Sequence, residues 1–149
     1  MKGPTVFLEY WDRPEDTDSV FTSDGWFRTG DTGGVEQGRY RILGRSSVDI
    51  LKTGGEKVSA LEIEDVLLGH EAISEAAVVG IDDPEWGQRV VAVVVASDQV
   101  ESEQLRDWVK GRLAPHKVPK EFHFTDSLPR NPMGKTVKPD VVRMVSEKS

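Results

Sequence analysis

The most apolar stretch of the chain is a run of seven residues, Val90–Ala96, and a second apolar stretch, Ala76–Ile81, precedes it. A membrane-spanning helix needs about 20 such residues, so neither stretch can cross a bilayer. A short run that is apolar at every position is typical of a β-strand covered on both faces. The sequence therefore predicts two buried strands at the centre of a folded domain.

Two amphipathic helices are predicted on either side of these strands. Ser59, followed by Glu62 three residues later, forms a capping box that opens the first helix, and Gly69 is placed to end it. Ser102 caps the second helix, and Pro115 ends it. The apolar residues at helical spacing are Ala60, Ile63, Val66 and Leu67 in the first helix, and Leu105, Trp108, Val109 and Leu113 in the second.

The other elements are shorter. Val48–Thr53 predicts a strand before a Gly54-Gly55 turn, Phe122–Phe124 an edge strand, and Pro139–Val145 a short helix. Residues 4–45 predict only short strands and turns, with β-prone segments at Val6–Leu8 and Trp26–Arg28. Together these patterns predict an α+β domain over residues 46–149, preceded by a β segment over residues 1–45.

Composition excludes several classes of function. The chain of 149 residues has no cysteine, which rules out a disulfide scaffold, a cysteine-ligated zinc site, an iron–sulfur cluster and a thiol nucleophile. A formal net charge of −7 argues against general nucleic-acid binding. No signal-peptide core follows Met1, so we expect a soluble intracellular protein.

The charge is unevenly distributed along the chain. Residues 110–149 carry a net charge of +5 and residues 1–109 a net charge of −12. A basic segment next to an acidic body could hold an anionic small molecule. A solvated basic tail explains the same pattern, and charge alone favours that simpler interpretation.

The Gly134-Lys135-Thr136 triplet resembles the end of a Walker A loop, but the rest of the motif is missing. Walker A requires a glycine five residues before Gly134, where this chain has Pro129, and Pro132 removes an N–H that would bind phosphate. The three histidines, His70, His116 and His123, have no metal-ligand spacing, and no G-x-S-x-G nucleophile elbow is present. What survives is a single lysine on a loop fixed by proline and glycine.

Trp86 follows the turn-forming Asp82-Asp83-Pro84 and stands three residues before Arg89. An exposed tryptophan beside an arginine could stack on a nucleotide base or hold a phosphate. Packing of Trp86 into the core is an equally good interpretation, because tryptophan is usually mostly buried.

Four segments, taken in order, resemble one enzyme superfamily over nearly the whole chain. They are GPTVFLEYWDRPEDT (residues 3–17), DGWFRTGD (24–31), GRSSVDILKTGGEKVSALEIE (44–64) and LPRNPMGK (128–135). This series is similar to the carboxy-terminal part of the adenylate-forming enzymes, which include acyl-CoA synthetases, adenylation domains of nonribosomal peptide synthetases, and luciferases. The DILKTGG and SALEIE segments are most similar to the malonyl- and methylmalonyl-CoA synthetases.

The resemblance implies a reaction in two steps. A carboxylate reacts with ATP to give an acyl-adenylate and pyrophosphate, and CoA then displaces AMP to give the thioester; the acid is of malonate type or a fatty acid. In the family a small carboxy-terminal α+β lid domain with a mixed sheet, here residues 46–149, rotates between the steps. Residues 1–45 would be the terminal β segment of the large amino-terminal domain.

The family's phosphate loop, Mg²⁺-binding glutamate and acyl pocket have no counterpart in this sequence. In the family these features lie in the large amino-terminal domain. The resemblance therefore implies that the chain is a fragment that lacks full activity alone, and that Mg²⁺ binds the missing domain. ATP or AMP, CoA and a small carboxylic acid are the expected ligands.

Three polar residues match family positions with assigned roles. Lys135 resembles the catalytic lysine of the first step, whose ammonium reaches the substrate carboxylate and the α-phosphate. Asp31 resembles the ribose-binding aspartate, because a carboxylate can accept both ribose hydroxyl protons; an Asx-turn is the alternative. Arg45 matches an arginine that approaches the ribose, with a surface arginine as the alternative.

A second group of residues matches the thioester-forming step and the hinge. Gly54 and Gly55 match a hairpin that lines the pantetheine tunnel, where missing side chains let a ligand approach the backbone. Trp86 and Arg89 would contact the adenine or the phosphates of CoA. Lys52 either faces the active site in this step or is a solvated lysine on a strand. The solvated lysine is slightly favoured.

The hinge residue of the family follows the Gly44-Arg45 pair. Here the spacing from Arg45 to the helix that contains LEIE is one residue longer than in many family members. Ser47, Val48 and Asp49 therefore compete for the role, and we predict Ser47 or Asp49.

Two other functions stay open at this point. The chain could come from an adenylation domain that loads the phosphopantetheine of a carrier protein, although the malonyl-type segments favour free CoA. It could also be a noncatalytic α+β interaction module that kept the fold without the chemistry. The presence of Lys135, Asp31 and Arg45 argues against that loss.

Overall fold

A computed structural model describes residues 1–147, so the end of the predicted lid domain at residue 149 lies outside the described residues. The chain divides into two compact units, Met1–Asp31 and Thr32–Ser149. The boundary expected between residues 45 and 46 concerns the domains of a larger enzyme and stays a prediction.

The first unit is a short helix with an aromatic cluster. The helix, α1, spans Pro14–Val20, with the proline in its first turn and no buried residue. Four rings pack together at centroid separations of 4.8 to 5.7 Å, and they belong to Phe7, Tyr10, Phe21 and Phe27. Expecting only strands and turns here was wrong, because a helix without an apolar stripe leaves no periodic signal. Val6–Leu8 forms no strand, and Phe27 pairs with Phe21 only as an isolated β-bridge.

The second unit contains most of the regular structure. Its strands are β1 (Asp31–Glu36), which begins at the last residue of the first unit, β2 (Arg39–Arg45), β3 (Ile50–Thr53), β4 (Glu56–Ser59), β5 (Ile73–Asp83), β6 (Gly87–Ala96) and β7 (Glu121–Phe124). Its helices are α2 (Ala60–Leu68), α3 (Ser102–Lys110) and α4 (Lys138–Ser146), with a 3₁₀ turn at Pro115–Lys117.

A five-stranded mixed sheet organises this unit. The strand order is β4-β3-β6-β5, and β7 pairs with β6 as the parallel strand. β5 and β6 form a long antiparallel pair in which Val78 lies opposite Ala92. β1 and β2 form a separate two-stranded sheet. The small mixed α+β architecture expected from the sequence is confirmed.

Both faces of the β5–β6 pair are covered, as the second apolar run predicted for its strand. One face packs with α2 and α3, through core residues that include Ile63, Val78, Ala92 and Leu105. The other face packs with α4, through Val79, Val91, Val141 and Val145 among others. Within residues 1–147 the longest helices have nine residues, and none is long and apolar enough to cross a membrane.

The helix ends differ from the sequence expectation in detail. Ser59 accepts a hydrogen bond from the Glu62 amide, but the Glu62 carboxylate pairs with Lys117 Nζ at 2.6 Å instead of completing the capping box. α3 is capped by Glu101, and Ser102 is its first residue. Gly111, not Pro115, follows the last residue of α3.

Candidate functional site

Lys135 lies on a tight loop that the Asn131 side chain holds together. Arg130 and Thr136 pair as an antiparallel bridge at its base. Asn131 Oδ1 accepts hydrogen bonds from the backbone N–H of Met133 and of Lys135, at 3.0 and 2.9 Å. The Lys135 side chain is exposed. The loop therefore presents an ammonium group to solvent from an ordered backbone.

The base of this loop is attached to one end of β5. Arg130 donates from Nη1 to the Gly134 carbonyl and from Nη2 to Glu75 Oε2, each at 2.6 Å. Glu75 is the third residue of β5. Sequence reasoning missed this pair because 55 positions separate the two residues along the chain, and within the LPRNPMGK segment it singled out only Lys135.

Gly54 and Gly55 form the two-residue turn of the β3–β4 hairpin. Both have positive φ, +57° and +82°, as a turn that matches the strand twist requires. The Gly54 amide donates to the Trp86 carbonyl at 2.9 Å, and Lys52 N–H donates to Gln88 Oε1 at 2.8 Å. The hairpin is therefore fastened to the β5–β6 turn, and Lys52, Gly54, Gly55 and Trp86 come together.

Trp86 lies over the glycine turn. Its side chain is 37% exposed and belongs to neither core cluster. A Cβ added to Gly54 would lie 3.3 Å from the indole ring, a tight contact that would need a shift of a few tenths of an ångström. Lys120 Nζ lies 4.3 Å from the ring centroid. The geometry thus favours the exposed-face interpretation over core packing.

The turn that carries Trp86 is fixed by Asp83. Its Oδ1 accepts hydrogen bonds from the backbone N–H of Trp86 and of Glu85, at 3.0 and 2.9 Å. These two hydrogen bonds, that from Trp86 first, lower the pKa of Asp83 below its ordinary value. The carboxylate is therefore ionised at neutral pH and keeps the turn closed.

The guanidinium of Arg89 pairs with Glu121 and not with the glycine turn or Trp86. Arg89 Nη1 forms an ion pair with Glu121 Oε1 at 3.0 Å, and His123 Nε2 contacts the other oxygen of Glu121 at 3.1 Å. The predicted contact between Arg89 and CoA stays a prediction.

The segment after β2 is closed into a turn by Asp49. The Asp49 amide donates to the Arg45 carbonyl, and the Arg45 amide donates to Asp49 Oδ2, both at 2.8 Å. This turn is why β3 begins at Ile50 and not at Val48, as the sequence indicated. Of the two predicted hinge residues, Asp49 is buried and Ser47 is exposed.

Asp49 belongs to a buried ion network that the sequence did not reveal. Lys138 Nζ lies 2.6 Å from Asp49 Oδ1 and 2.9 Å from Glu64 Oε1, and all three side chains are 14% exposed or less. Glu64 Oε1 also accepts from the Val78 amide at 2.7 Å. The sequence did contain one sign of this network. Glu64 lies four residues after Ala60 and so places a carboxylate on the buried face of α2. The network joins the start of α4 to α2, β5 and the Arg45–Asp49 turn.

Burial raises the pKa of Glu64 above its ordinary value, and the Asp49 carboxylate adds to this, while Lys138 opposes it. A carboxyl group whose folded pKa is raised stabilises the fold below its unfolded pKa, and that contribution is lost as pH rises. We therefore expect Glu64→Gln to remove a pH-dependent component of stability. From pH 4.5 upward, wild-type stability should fall relative to the variant, by at most about 1.4 kcal/mol per pH unit. Urea unfolding at a series of pH values measures this difference, and parallel profiles would contradict it.

Gly44 leaves the space that Asp49 occupies. Gly44 has φ +126°, and a Cβ built on it would lie 2.4 Å from Asp49 Cβ. We expect Gly44→Ala to displace Asp49 and to lower the free energy of unfolding by roughly 1 to 3 kcal/mol. Gly33→Ala is the matched control, because its Cβ would lie 3.6 Å from the nearest atom, an ordinary contact. Equal urea midpoints for the two variants would show that Gly44 is not constrained in this way.

Asp31 ends the first unit, and its backbone N–H donates to Thr29 Oγ1 at 3.2 Å. Arg45 ends β2 in the second unit. Their predicted contacts with ribose stay predictions. Within residues 1–147, no group of three or more histidine, aspartate and glutamate side chains is placed to hold a metal ion.

The two candidate loops lie at opposite ends of β5. The Lys135 loop is bound to Glu75 near the start of the strand, and the glycine turn is bound to Trp86, just past the end of the strand at Asp83. The eight residue steps of extended backbone from Glu75 to Asp83 correspond to about 26 Å. The two loops are therefore attached to β5 at points about one strand length apart.

This chain is similar to proteins of one enzyme family. The model of the AMP-binding enzyme C-terminal domain family matches residues 62–135. Mitochondrial malonate–CoA ligase of Bos taurus is 52% identical over 147 residues, which are 97% of this chain and 25% of that protein. Malonate–CoA ligase of Arabidopsis thaliana is 44% identical over an alignment of 154 positions, which covers 95% of this chain and 25% of that protein.

A solved structure gives the same result. The crystal structure of ATP-bound MatB from Rhodopseudomonas palustris superimposes with a TM-score of 0.85 at 40% identity, covering 98% of this chain and 29% of that chain. This chain thus spans about a quarter of the length of the curated relatives. The chain belongs to the adenylate-forming superfamily and carries its AMP-binding enzyme C-terminal domain.

Proposed function

We propose that this chain is the carboxy-terminal part of an ATP-dependent acyl-CoA synthetase, with malonate as the preferred acid. Such an enzyme converts a carboxylate, ATP and CoA into acyl-CoA, AMP and pyrophosphate. The proposal rests mainly on one observation: the Lys135 loop and the glycine turn lie at opposite ends of β5. Malonate is proposed because the ligases of Bos taurus and Arabidopsis thaliana are named for it.

In the first step, a substrate carboxylate oxygen attacks the α-phosphorus of ATP and pyrophosphate leaves. Negative charge builds on the α-phosphate oxygens during the attack. Lys135 would supply the compensating positive charge, since a compact ammonium on a flexible stem suits contact with both the carboxylate and the phosphate. Its exposed side chain on an ordered loop supports this role.

In the second step, the CoA thiol loses its proton, attacks the acyl carbonyl carbon and displaces AMP. The Gly54–Gly55 turn would form one wall of the pantetheine path, because it offers bare backbone to a ligand. No atom lies within 4 Å of a Cβ built on Gly55, which supports open space beside it. Trp86 and the cation of Lys120 above its ring would face the nucleotide end of CoA, for which an aromatic face and a positive charge are suited. Lys52 and Arg89 stay secondary candidates.

The unit must rotate between the two steps, since opposite ends of β5 serve them. Ser47 is our proposed hinge. Asp49 is less suited, because Lys138 and the Arg45 amide hold its carboxylate. A pivot needs a residue that is free to change φ and ψ, and Ser47 is exposed in the turn.

ATP also needs ribose and metal contacts. We propose that Asp31 accepts hydrogen bonds from the ribose hydroxyls and that Arg45 approaches the same sugar. Residues 1–147 contain no fitting cluster of metal ligands, so no step is assigned to Mg²⁺ on this chain.

A hybrid enzyme tests the proposal, in which this chain replaces the aligned 147-residue segment of the Bos taurus ligase. We expect the hybrid to form malonyl-CoA from malonate, ATP and CoA, and the 149-residue chain alone to form none. Offering a carrier protein in place of CoA separates the two thiol acceptors. The choice between malonate and a fatty acid has to be measured on the parent enzyme with its own amino-terminal domain, because the acyl pocket of the hybrid is that of the Bos taurus ligase. A well-folded hybrid without ligase activity would contradict the proposal.

A further inference from the structure

Arg130 makes two contacts that together fix the Lys135 loop. One nitrogen of its guanidinium donates to the Gly134 carbonyl, one residue before Lys135, and another donates to Glu75 on β5. Both distances are 2.6 Å, which is short for a hydrogen bond and indicates charge-assisted donation. The guanidinium thus bridges the tip of the loop to the sheet.

The loop needs this bridge because its other bonds are internal. The Asn131 side chain closes the turn on the amides of Met133 and Lys135, and the Gly134 amide donates to the Asn131 carbonyl. These bonds fix the shape of the loop, and the buried Leu128 and helix α4 anchor its two ends. The Arg130–Glu75 pair adds a contact that ties the loop itself to β5. A planar fork with fixed N–H directions can set the direction of that contact, whereas a lysine offers one freely rotating point charge.

We propose that Arg130, held by Glu75, is a positioning residue for Lys135. The proposal rests on the proposed role of Lys135 in forming the acyl-adenylate. Arg130 touches no reacting atom and acts by holding the Gly134 carbonyl, which fixes the backbone from which the Lys135 side chain projects. A displacement of about 1 Å in a charge that stabilises the transition state can cost a hundredfold in rate.

Loss of the Arg130 side chain should slow catalysis and leave the stability of the fold nearly unchanged. Arg130 is an exposed side chain, 45% exposed in its pair with Glu75. Exposed ion pairs contribute little to the free energy of unfolding, so its loss should leave the thermal midpoint nearly unchanged. The loop, in contrast, should lose its fixed direction.

The first experiment measures backbone order on the 149-residue chain itself. We expect Arg130→Met to lower the NMR order parameters of the Gly134 and Lys135 amides from about 0.85 to below about 0.6, with the β5 amides unchanged. Arg143→Met is the matched control, because it removes an exposed arginine that pairs with Asp140 within α4. Unchanged order parameters at Gly134 and Lys135 in the Arg130 variant would overturn the proposal.

The second experiment measures both half-reactions in the hybrid enzyme by single turnover. Arg130→Met should slow acyl-adenylate formation roughly ten- to hundredfold and leave thioester formation from added malonyl-adenylate unchanged. A merely structural defect would slow both reactions alike, and that result would contradict the proposal. Arg130→Lys should recover part of the rate, since a lysine can keep one of the two contacts.

Lys135→Ala, measured in parallel, separates the two possible failures. If Lys135→Ala is slow and Arg130→Met is as fast as wild type, only the positioning proposal is wrong. If Lys135→Ala itself forms acyl-adenylate at the wild-type rate, the proposed role of Lys135 is wrong and the positioning proposal falls with it.

Discussion

Replacing Lys135 by alanine is expected to slow acyl-adenylate formation by roughly a hundred- to thousandfold in the hybrid enzyme. The reason is the loss of a preorganised positive charge where negative charge develops, a change that typically costs about 3 to 4 kcal/mol of barrier. Folding should be unaffected, because the side chain is exposed and its amide keeps the bond to Asn131. Single-turnover release of pyrophosphate measures the rate.

Lys57→Ala is the matched control for this prediction. Lys57 is also an exposed lysine, but it lies on β4, away from the Lys135 loop. Its variant should release pyrophosphate at the wild-type rate. If both lysine variants slowed pyrophosphate release equally, a general effect of surface charge would replace the specific role of Lys135.

The Gly55→Leu variant is expected to slow thioester formation and not acyl-adenylate formation, the reverse of Lys135→Ala. A side chain on Gly55 would project from the tip of the β3–β4 turn into the proposed pantetheine path, and a thiol displaced by 1 Å or more reacts about a hundredfold more slowly. Thioester formation from added malonyl-adenylate should therefore fall by about that factor, while acyl-adenylate formation stays at the wild-type rate. Gly54 is a poorer probe, because a Cβ there would also press on the Trp86 ring.

Gly38→Leu controls for backbone strain in that experiment. Gly38 has φ +76°, close to the +82° of Gly55, and neither has an atom within 4 Å of a built Cβ. The two leucines should therefore cost similar stability, but Gly38 lies in the turn between β1 and β2. Equal loss of thioester formation in both variants would attribute the effect to strain and not to the tunnel.

Periodicity and turn chemistry were enough to predict most of the second unit. The runs around Val78 and Val93 indicated buried strands, the second covered on both faces, and they form the β5–β6 pair with a core cluster on each side. Adjacent glycines at 54 and 55 indicated the positive-φ turn that joins β3 to β4. These predictions depend on local repetition, which a single sequence displays directly.

Features that depend on distant residues were not predictable in the same way. Lys138, Asp49 and Glu64 meet in the fold although 89 positions lie between the first two, and Arg130 reaches Glu75 across 55 positions. No local pattern encodes such pairs. Helix α1 was missed for a different reason, because its residues present no apolar face and only the proline and acidic residues of its first turn mark it.

The candidate site was predictable only in part. Lys135, Gly54 and Gly55 were identified by resemblance, and the structure adds what holds them, which is Asn131 for the lysine loop and the Trp86 carbonyl for the glycine turn. The two readings of Trp86 could not be separated from composition, since a half-exposed tryptophan satisfies both. In the fold Trp86 is 37% exposed and lies outside both core clusters, which favours the exposed-face interpretation.

The most direct test of the account compares both half-reactions, in one hybrid enzyme, across wild type, Lys135→Ala and Gly55→Leu. Single-turnover rates would be measured for acyl-adenylate formation from malonate and ATP, and for thioester formation from malonyl-adenylate and CoA. If opposite ends of β5 serve the two steps, Lys135→Ala slows only the first and Gly55→Leu slows only the second. Two variants that each slow both reactions by the same factor would contradict the central claim.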